Sequence, residues 1–226
     1  MAGVPERRPV NACRYHPLNK IARGITDILK NCVQSSQPSN PVPIIVVPGT
    51  FWKDIPSWAE TYSPSNKPMR AIAGIFGAAP IVFDWSGANS ASERHTAAQN
   101  LAQFIQTVES PLVHLLGFSH GGNVACEAAA LLNARVDLLV TIATPVTGHY
   151  KSGGARRHIN LYSLQDRMQI LGGEGPLGLP AFASREFPGS TNIPVPDVPS
   201  SDLTGSHGNI LWSDEAWRIL KEACQT

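Results

Sequence analysis

From residue 43 onward the chain alternates short apolar runs with stretches of helical periodicity. Pro43–Val47 is a β-branched run without polar alternation, the pattern of a parallel strand covered on both faces. Ile81–Trp85, Val113–Phe118, Val136–Ala143 and Ile159–Leu164 read as four more strands of the same kind. Between the second and third, the capping-box spacing Ser90-x-x-Glu93 opens a helix whose apolar face is Ala97, Leu101, Phe104, Ile105 and Val108. Asn123–Asn133 and Asp214–Ala223 are predicted as further helices. Upstream, Leu18, Ile21, Ala22, Ile25, Ile28 and Leu29 recur at helical spacing and predict an amphipathic helix ending near Asn31. Ser35–Pro43 is a Ser/Pro linker, so residues 1–40 are expected to form an N-terminal extension, its helix packed on a core domain over 41–226.

Alternating strands and helices predict a mostly parallel sheet with helices on both faces. Such sheets bind ligands beyond the carboxyl ends of their strands, so the residues just after each strand are where chemistry is expected. Gly117-Phe118-Ser119-His120-Gly121 follows a strand directly and opens directly into a helix. That context suits a nucleophile: a sharp turn lifts the serine hydroxyl clear of the sheet, and small residues two before and two after let the backbones approach. Ser119 is therefore the candidate nucleophile. The helix N-terminus places the His120 N–H as an oxyanion donor. The His120 side chain, next to the nucleophile in sequence, points away from it and is expected to be a wall of the site.

Acyl transfer needs a second donor aimed at the same oxygen. Pro48-Gly49-Thr50 ends the first buried strand in the right topological place, and the Thr50 N–H is the candidate. Behind such an elbow the acid and then the histidine follow the serine along the chain. Asp166 comes two residues after the Ile159–Leu164 run, whereas Asp197 and Asp202 lie in Pro/Ser-rich sequence and Glu174 among glycines. His207, flanked by Gly205, Ser206 and Gly208 ahead of the last helix, is the candidate base. His149 and His158 precede the acid and have the wrong order; His16, His95 and His114 are expected to be structural or exposed. Ser206 has no strand before it and is no rival nucleophile.

The stretch from Gly172 to Gly205 is rich in Gly and Pro and poor in helical signal. A loop this long is usually functional, and it lies between acid and base. Leu177, Leu179, Phe182 and Phe187 either line the site, opposite Phe51, Trp52 and Phe118, or pin the loop to the core. The chain leaves no room for a large helical cap, so a shallow, open cleft is expected.

Composition narrows the functions further. With 226 residues, 42% hydrophobic and 15% charged, the chain suits one well-buried catalytic domain. A formal net charge of +1 and the absence of a Lys/Arg stripe give no argument for nucleic acid. No apolar run reaches the length of a membrane span, and residues 1–8 lack the apolar stretch of a secretory signal. The chain is then cytoplasmic, exported by another route, or shorn of a signal. Cys13, Cys32, Cys126 and Cys224 show no metal-ligand spacing. Cys126 falls on an inner helix face, and Cys13 and Cys32, flanking the first helix, are either free or bridged.

Together, Val46-Val47-Pro48-Gly49-Thr50, Gly117–Asn123, Thr144-Pro145, Asp166 and His207 resemble the lipase/esterase branch of the α/β-hydrolase superfamily. The resemblance runs from about residue 43 to the C-terminus. It implies a minimal α/β-hydrolase fold, a Ser119–Asp166–His207 triad, no metal or other cofactor, and a small ester or lipid substrate, with contact at a lipid interface. Lipases often carry histidine before the oxyanion glycine; here it is Pro48, a form some lipases share. Asp84-Trp85-Ser86-Gly87, with Asn89 and Arg94, is similar to compact bacterial hydrolase-fold proteins, some of them toxin-like lipase domains. The leading expectation is an esterase or lipase. A phospholipase or lipase toxin, an amidase, peptidase or thioesterase, and a hydrolase-fold binding protein without turnover stay open, because fold and triad do not fix the leaving group.

Overall fold

The computed structural model describes residues 41–147, 153–174, 180–196, 198 and 205–226. The N-terminal extension with Cys13 and Cys32 lies outside the described residues, as do His16, His149, Leu177, Leu179, Asp197 and Asp202.

Six strands make one sheet: β1 (Ile44–Val47), β2 (Ile81–Val82), β3 (Val113–Phe118), β4 (Val136–Ile142), β5 (Ala155–Tyr162) and, beyond a short antiparallel ribbon of β6 (Gly173–Glu174) and β7 (Pro180–Ala181), β8 (Thr191–Pro194). Their spatial order is β2-β1-β3-β4-β5-β8 and every pair is parallel. The helices are α1 (Pro56–Thr61), α2 (Lys67–Phe76), α3 (Ala91–Thr107), α4 (His120–Leu131), α5 (Arg167–Leu171), α6 (Gly205–Asn209) and α7 (Asp214–Gln225).

The missing alternation in the strands has a direct cause. Ile45 and Val47 pack with Leu101 and Ile105 of α3 and Val124 and Ala128 of α4. Their neighbours Ile44 and Val46 pack in a second cluster with Met69 and Ile72 of α2 and Trp217 and Leu220 of α7. Both faces of β1 are thus dry, and each Ile or Leu buried there contributes about 1.5–3 kcal/mol relative to exposure. At the start of α3 the Ser90 hydroxyl accepts the Glu93 N–H at 3.2 Å, while the Glu93 carboxylate takes the Ser86 hydroxyl at 2.9 Å. Only one half of the anticipated capping box is made by Glu93 and Ser90; the other carboxylate bond braces the preceding loop.

Several boundaries differ from the sequence pattern. β2 is two residues long rather than five: Phe83 still donates to the Val46 carbonyl at 2.8 Å, and then the chain leaves the sheet. α4 starts at His120 rather than Asn123, and β5 starts at Ala155 rather than Ile159. β8 lies inside the stretch expected to be one long loop, paired with β5 from Ile159↔Thr191 to Tyr162↔Pro194. No helix among the described residues is long and apolar enough to cross a membrane.

The sheet order places the site. From β1 the chain goes to β2 on one side and returns to β3 on the other, so the winding reverses between β1 and β3. The crevice at such a reversal, outside the carboxyl ends, is where open α/β sheets bind ligands. Pro48–Thr50 leaves β1 there, and Ser119 leaves β3 beside it.

Candidate active site

Ser119 is the single residue between β3 and α4, held at φ 52° and ψ −134°. A non-glycine residue in this left-handed region costs about 1–3 kcal/mol and persists only where its surroundings enforce it. The Ser119 N–H donates to the Ile142 carbonyl at 2.9 Å, fixing the turn to β4. The glycines on either side are required by space. A Cβ at Gly117 would stand 2.4 Å from the Gly122 Cα, and one at Gly121 would stand 2.2 Å from the Val47 carbonyl oxygen. The Gly-x-Ser-x-Gly spacing is therefore the contact between strand and helix backbones.

Ser119 Oγ lies 2.9 Å from His207 Nε2, and His207 Nδ1 lies 2.7 Å from Asp166 Oδ2. Ser119 and His207 are each 6% exposed and Asp166 is fully buried. With Nδ1–H donating to the carboxylate, Nε2 carries the lone pair that accepts from the serine hydroxyl. The other Asp166 oxygen, Oδ1, accepts the Gln169 N–H at 2.9 Å, so the acid is also the N-cap of α5.

Arg185 and Ser206 hold Asp166 and His207 in register. Arg185 donates to the carbonyls of Ser163 at 3.0 Å, Leu164 at 3.0 Å and Asp166 at 2.8 Å, clasping the turn that carries the acid. Ser206, set aside as a nucleophile, donates to the Gln165 carbonyl at 3.1 Å and ties the His207 helix to the same turn. The Phe118 ring rests 5.1 Å from the imidazole. The only sequence signal for Arg185 was a charged residue in an otherwise Gly/Pro-rich stretch, too little to place it.

The β1 turn sits against Ser119: a Cβ on Gly49 would be 3.0 Å from the Ser119 Cβ. Thr50 is buried. The turn is tied down on one side. Trp85 Nε1 donates to the Pro48 carbonyl at 2.9 Å, Phe51 N–H to the Gly87 carbonyl at 2.8 Å, and Trp52 Nε1 to the Trp85 carbonyl at 3.3 Å. On the other side burial raises the Tyr62 phenol pKa well above the ordinary value, and the nearby Gly49 backbone opposes that rise.

His120 is buried, and its Nδ1 pairs with the Asn123 side-chain amide at 3.0 Å. Burial, with Arg94 and His207 nearby, pushes its pKa down to about 3, so it is a neutral ring at neutral pH. His158 is likewise buried and held down to about 4, bonded to the Thr141 hydroxyl at 2.9 Å and packed 4.8 Å from Phe187. His95 pairs with Glu127 on the surface, and half-buried His114 packs against Phe76.

The expected lining is brought together only in part. Phe118 is buried under His207, and Trp52 meets Tyr62 edge-on at 5.8 Å. Phe51 is 43% exposed, and Phe182, at 83%, stands in solvent rather than lining a cleft. Phe187 is fully buried and pins its loop to the core. Cys126 is buried and free, its thiol pKa raised by burial. Among the described residues no group of three or more His, Cys, Asp or Glu is arranged to hold a metal ion.

The model of the α/β-hydrolase fold family matches residues 42–163. No curated protein matches the chain. Among solved structures it is similar to mouse α/β hydrolase domain-containing protein 10, at 15% identity over 81% of this chain and 88% of that one, with TM-score 0.51. An α/β-superfamily protein from Xanthomonas campestris aligns at 14% identity over 82% and 99% of the two chains, with TM-score 0.50. A lidless α/β serine hydrolase from the same species gives 18% identity, 84% and 83% coverage and TM-score 0.46. Likeness at these identities is likeness of fold, and the family match covers more than half of the sequence. The chain belongs to the α/β-hydrolase fold family.

Proposed function

We propose that this protein is a serine hydrolase that cleaves carboxylic esters through an acyl-enzyme on Ser119. The observation that carries this reading is the unbroken chain Ser119 Oγ–His207 Nε2 and His207 Nδ1–Asp166 Oδ2, at 2.9 and 2.7 Å, on a strained elbow at the sheet's winding reversal.

In this mechanism His207 takes the Ser119 proton as Oγ attacks the ester carbonyl carbon. The developing oxyanion is met by the backbone N–H groups of His120, at the start of α4, and of Thr50; one such donor is worth ~10²–10³ in rate. As the tetrahedral intermediate collapses, the carbonyl–alkoxy C–O bond breaks and His207 Nε2–H gives its proton to the departing alcohol. Water then adds to the acyl-enzyme, with His207 taking its proton, and Ser119 leaves with that proton restored. Asp166 holds the imidazole in the tautomer that presents Nε2 to the serine and stabilises the transient imidazolium.

A second reading, a lipase working at a lipid surface, draws on one observation. Met168 and Leu171 of α5 and Phe182 are exposed apolar side chains, 37%, 54% and 83% accessible, and the Ala183 N–H to Ile170 carbonyl bond brings their segments together beside the acid. Initial rates on p-nitrophenyl esters from acetate to palmitate test both readings. Turnover by the native chain and none by Ser119→Ala supports the triad, and a preference for long chains supports the lipase. No turnover by the native chain on any of these esters contradicts ester hydrolysis.

A further inference from the structure

A cavity of about 400 Å³ is lined by Tyr62, Phe118, Gly208, Asn209, Leu211 and Trp212, residues next to the triad in sequence or packed on it. Its walls touch the catalytic constellation at two points. Phe118 immediately precedes Ser119 and packs against the His207 ring, and the Tyr62 phenol is influenced by the Gly49 backbone of the β1 turn. Gly208 and Asn209 continue directly from His207 within α6. Through Phe118 and Gly208 the cavity borders His207, with no triad side chain in its own wall.

That position decides which half of an ester it receives. The leaving oxygen must lie within hydrogen-bond reach of His207 Nε2 to take its proton, so the alcohol portion projects toward the imidazole side. The lining then describes the alcohol. Trp58 and Trp212 line the cavity together with Glu60, Asn66 and Tyr62. Trp58 is half-buried and Trp212 is 42% exposed, so each offers a ring to a ligand and keeps contact with water. The Asn66 Nδ2 is engaged by the Glu60 carbonyl, which leaves the amide oxygen as an acceptor aimed by that bond. The Lys67 ammonium donates to the Trp212 carbonyl at 2.6 Å and fixes the segment that carries the second indole.

An aliphatic alcohol would use neither Glu60, which is exposed, nor the half-buried Asn66 amide oxygen. A polyhydroxylated ring satisfies both kinds of wall: its C–H faces lie on the indoles, and its hydroxyls donate to the carboxylate and amide oxygens. The volume falls within the range of small-molecule pockets and exceeds what a simple alcohol would fill. We propose that this cavity binds a sugar unit as the alcohol moiety, making the enzyme a deacylase of esterified saccharides. The inference rests on the ester-hydrolase reading above.

The test compares kcat/KM of the native chain on an acetylated methyl glycoside with that on p-nitrophenyl acetate and ethyl acetate, and repeats it for Trp58→Ala and Glu60→Gln. The native chain is expected to favour the acetylated glycoside over ethyl acetate by about tenfold or more, the scale on which a site with hydrogen-bonding walls discriminates. Each variant should lower the ratio of glycoside to p-nitrophenyl acetate turnover by about tenfold. Glu60→Gln keeps the shape of the wall, so its loss of selectivity is not a folding effect. If the native chain cleaves p-nitrophenyl acetate but shows no preference for the glycoside ester over ethyl acetate, or if neither variant moves the ratio, the sugar site is overturned while the hydrolase stands. Absence of turnover on all three esters overturns both.

Discussion

The indole of Trp85 donates to the carbonyl of Pro48 across 2.9 Å, joining the segment after β2 to the turn after β1. That turn carries Thr50, so the bond fixes a peptide on which the proposed oxyanion hole depends. Trp85 is 5% exposed and its indole has this acceptor in a dry setting, where an unmade bond costs about 1–3 kcal/mol. Trp85→Phe keeps most of the packing and removes the donor. The expected outcome is a fall in kcat of about tenfold or more, with KM little changed, because the loss is felt where negative charge develops. An unchanged kcat in steady-state assays would show that the turn holds its shape without the indole.

At the elbow, Gly121→Ala would place a Cβ 2.2 Å from the Val47 carbonyl and 2.3 Å from that of Pro48. Both are backbone atoms, one at the end of β1 and one in the turn that leaves it, and cannot step aside. The expected cost is several kcal/mol, in the range that marks strain at a special site, read as loss of folded protein or a lowered denaturation midpoint. The control is Gly74→Ala, where nothing lies within 4 Å of the added carbon and the helical position gains from alanine by up to ~1 kcal/mol.

Asp166→Asn leaves a side chain that can still cap α5 through the Gln169 N–H but no longer accepts from His207 Nδ1 as a carboxylate does. The imidazole then has no reason to present an Nε2 lone pair to the serine. Activity should fall by ~10³–10⁴-fold while circular dichroism and thermal midpoint stay near those of the native chain. A loss confined to stability would instead mark Asp166 as a structural cap.

The two buried histidines give stability a direction in pH. His120 and His158 have folded-state pKa values of about 3 and about 4, below the ordinary imidazole value of 6.5. The unfolded chain therefore binds protons that the folded chain refuses between these limits. Their neutral burial costs no protonation free energy above pH 6.5, and stability falls as the pH drops below it toward 4. Thermal midpoints measured from pH 7 to 4.5 should decline, and His158→Gln should flatten the decline. A midpoint that rises on acidification would contradict this assignment.

Much of the site was legible because its chemistry coincides with local rules. The Gly117–Gly121 spacing is a backbone contact, and the buried runs at Ile44–Val47 and Val113–Phe118 are strands with two dry faces; both leave marks within a few residues. The parts that were not legible depend on distant partners. β8 has Asn192 and Pro194 within four residues and reads as loop, yet it completes the sheet because β5 offers it an edge. Asn192 serves there as a hub, accepting the Phe187 N–H at 3.0 Å and the Asn160 amide at 2.9 Å. Arg156 and Arg157 hid the start of β5, because that end of the strand emerges from the core into solvent. α2 carries local marks as well: Pro68 in its first turn, Met69 and Ile72 buried one turn apart, and Gly77 closing it at φ 68°.

The central claim is that Ser119 is a nucleophile activated by His207, and a fluorophosphonate probe tests it most directly. Labelling the native chain, Ser119→Ala and His207→Ala, followed by peptide mass spectrometry, should give one adduct on the peptide carrying Ser119 in the native chain. It should give none in Ser119→Ala and a reaction slowed by orders of magnitude in His207→Ala. An unlabelled native chain, or an adduct on another serine that persists in Ser119→Ala, would contradict the account.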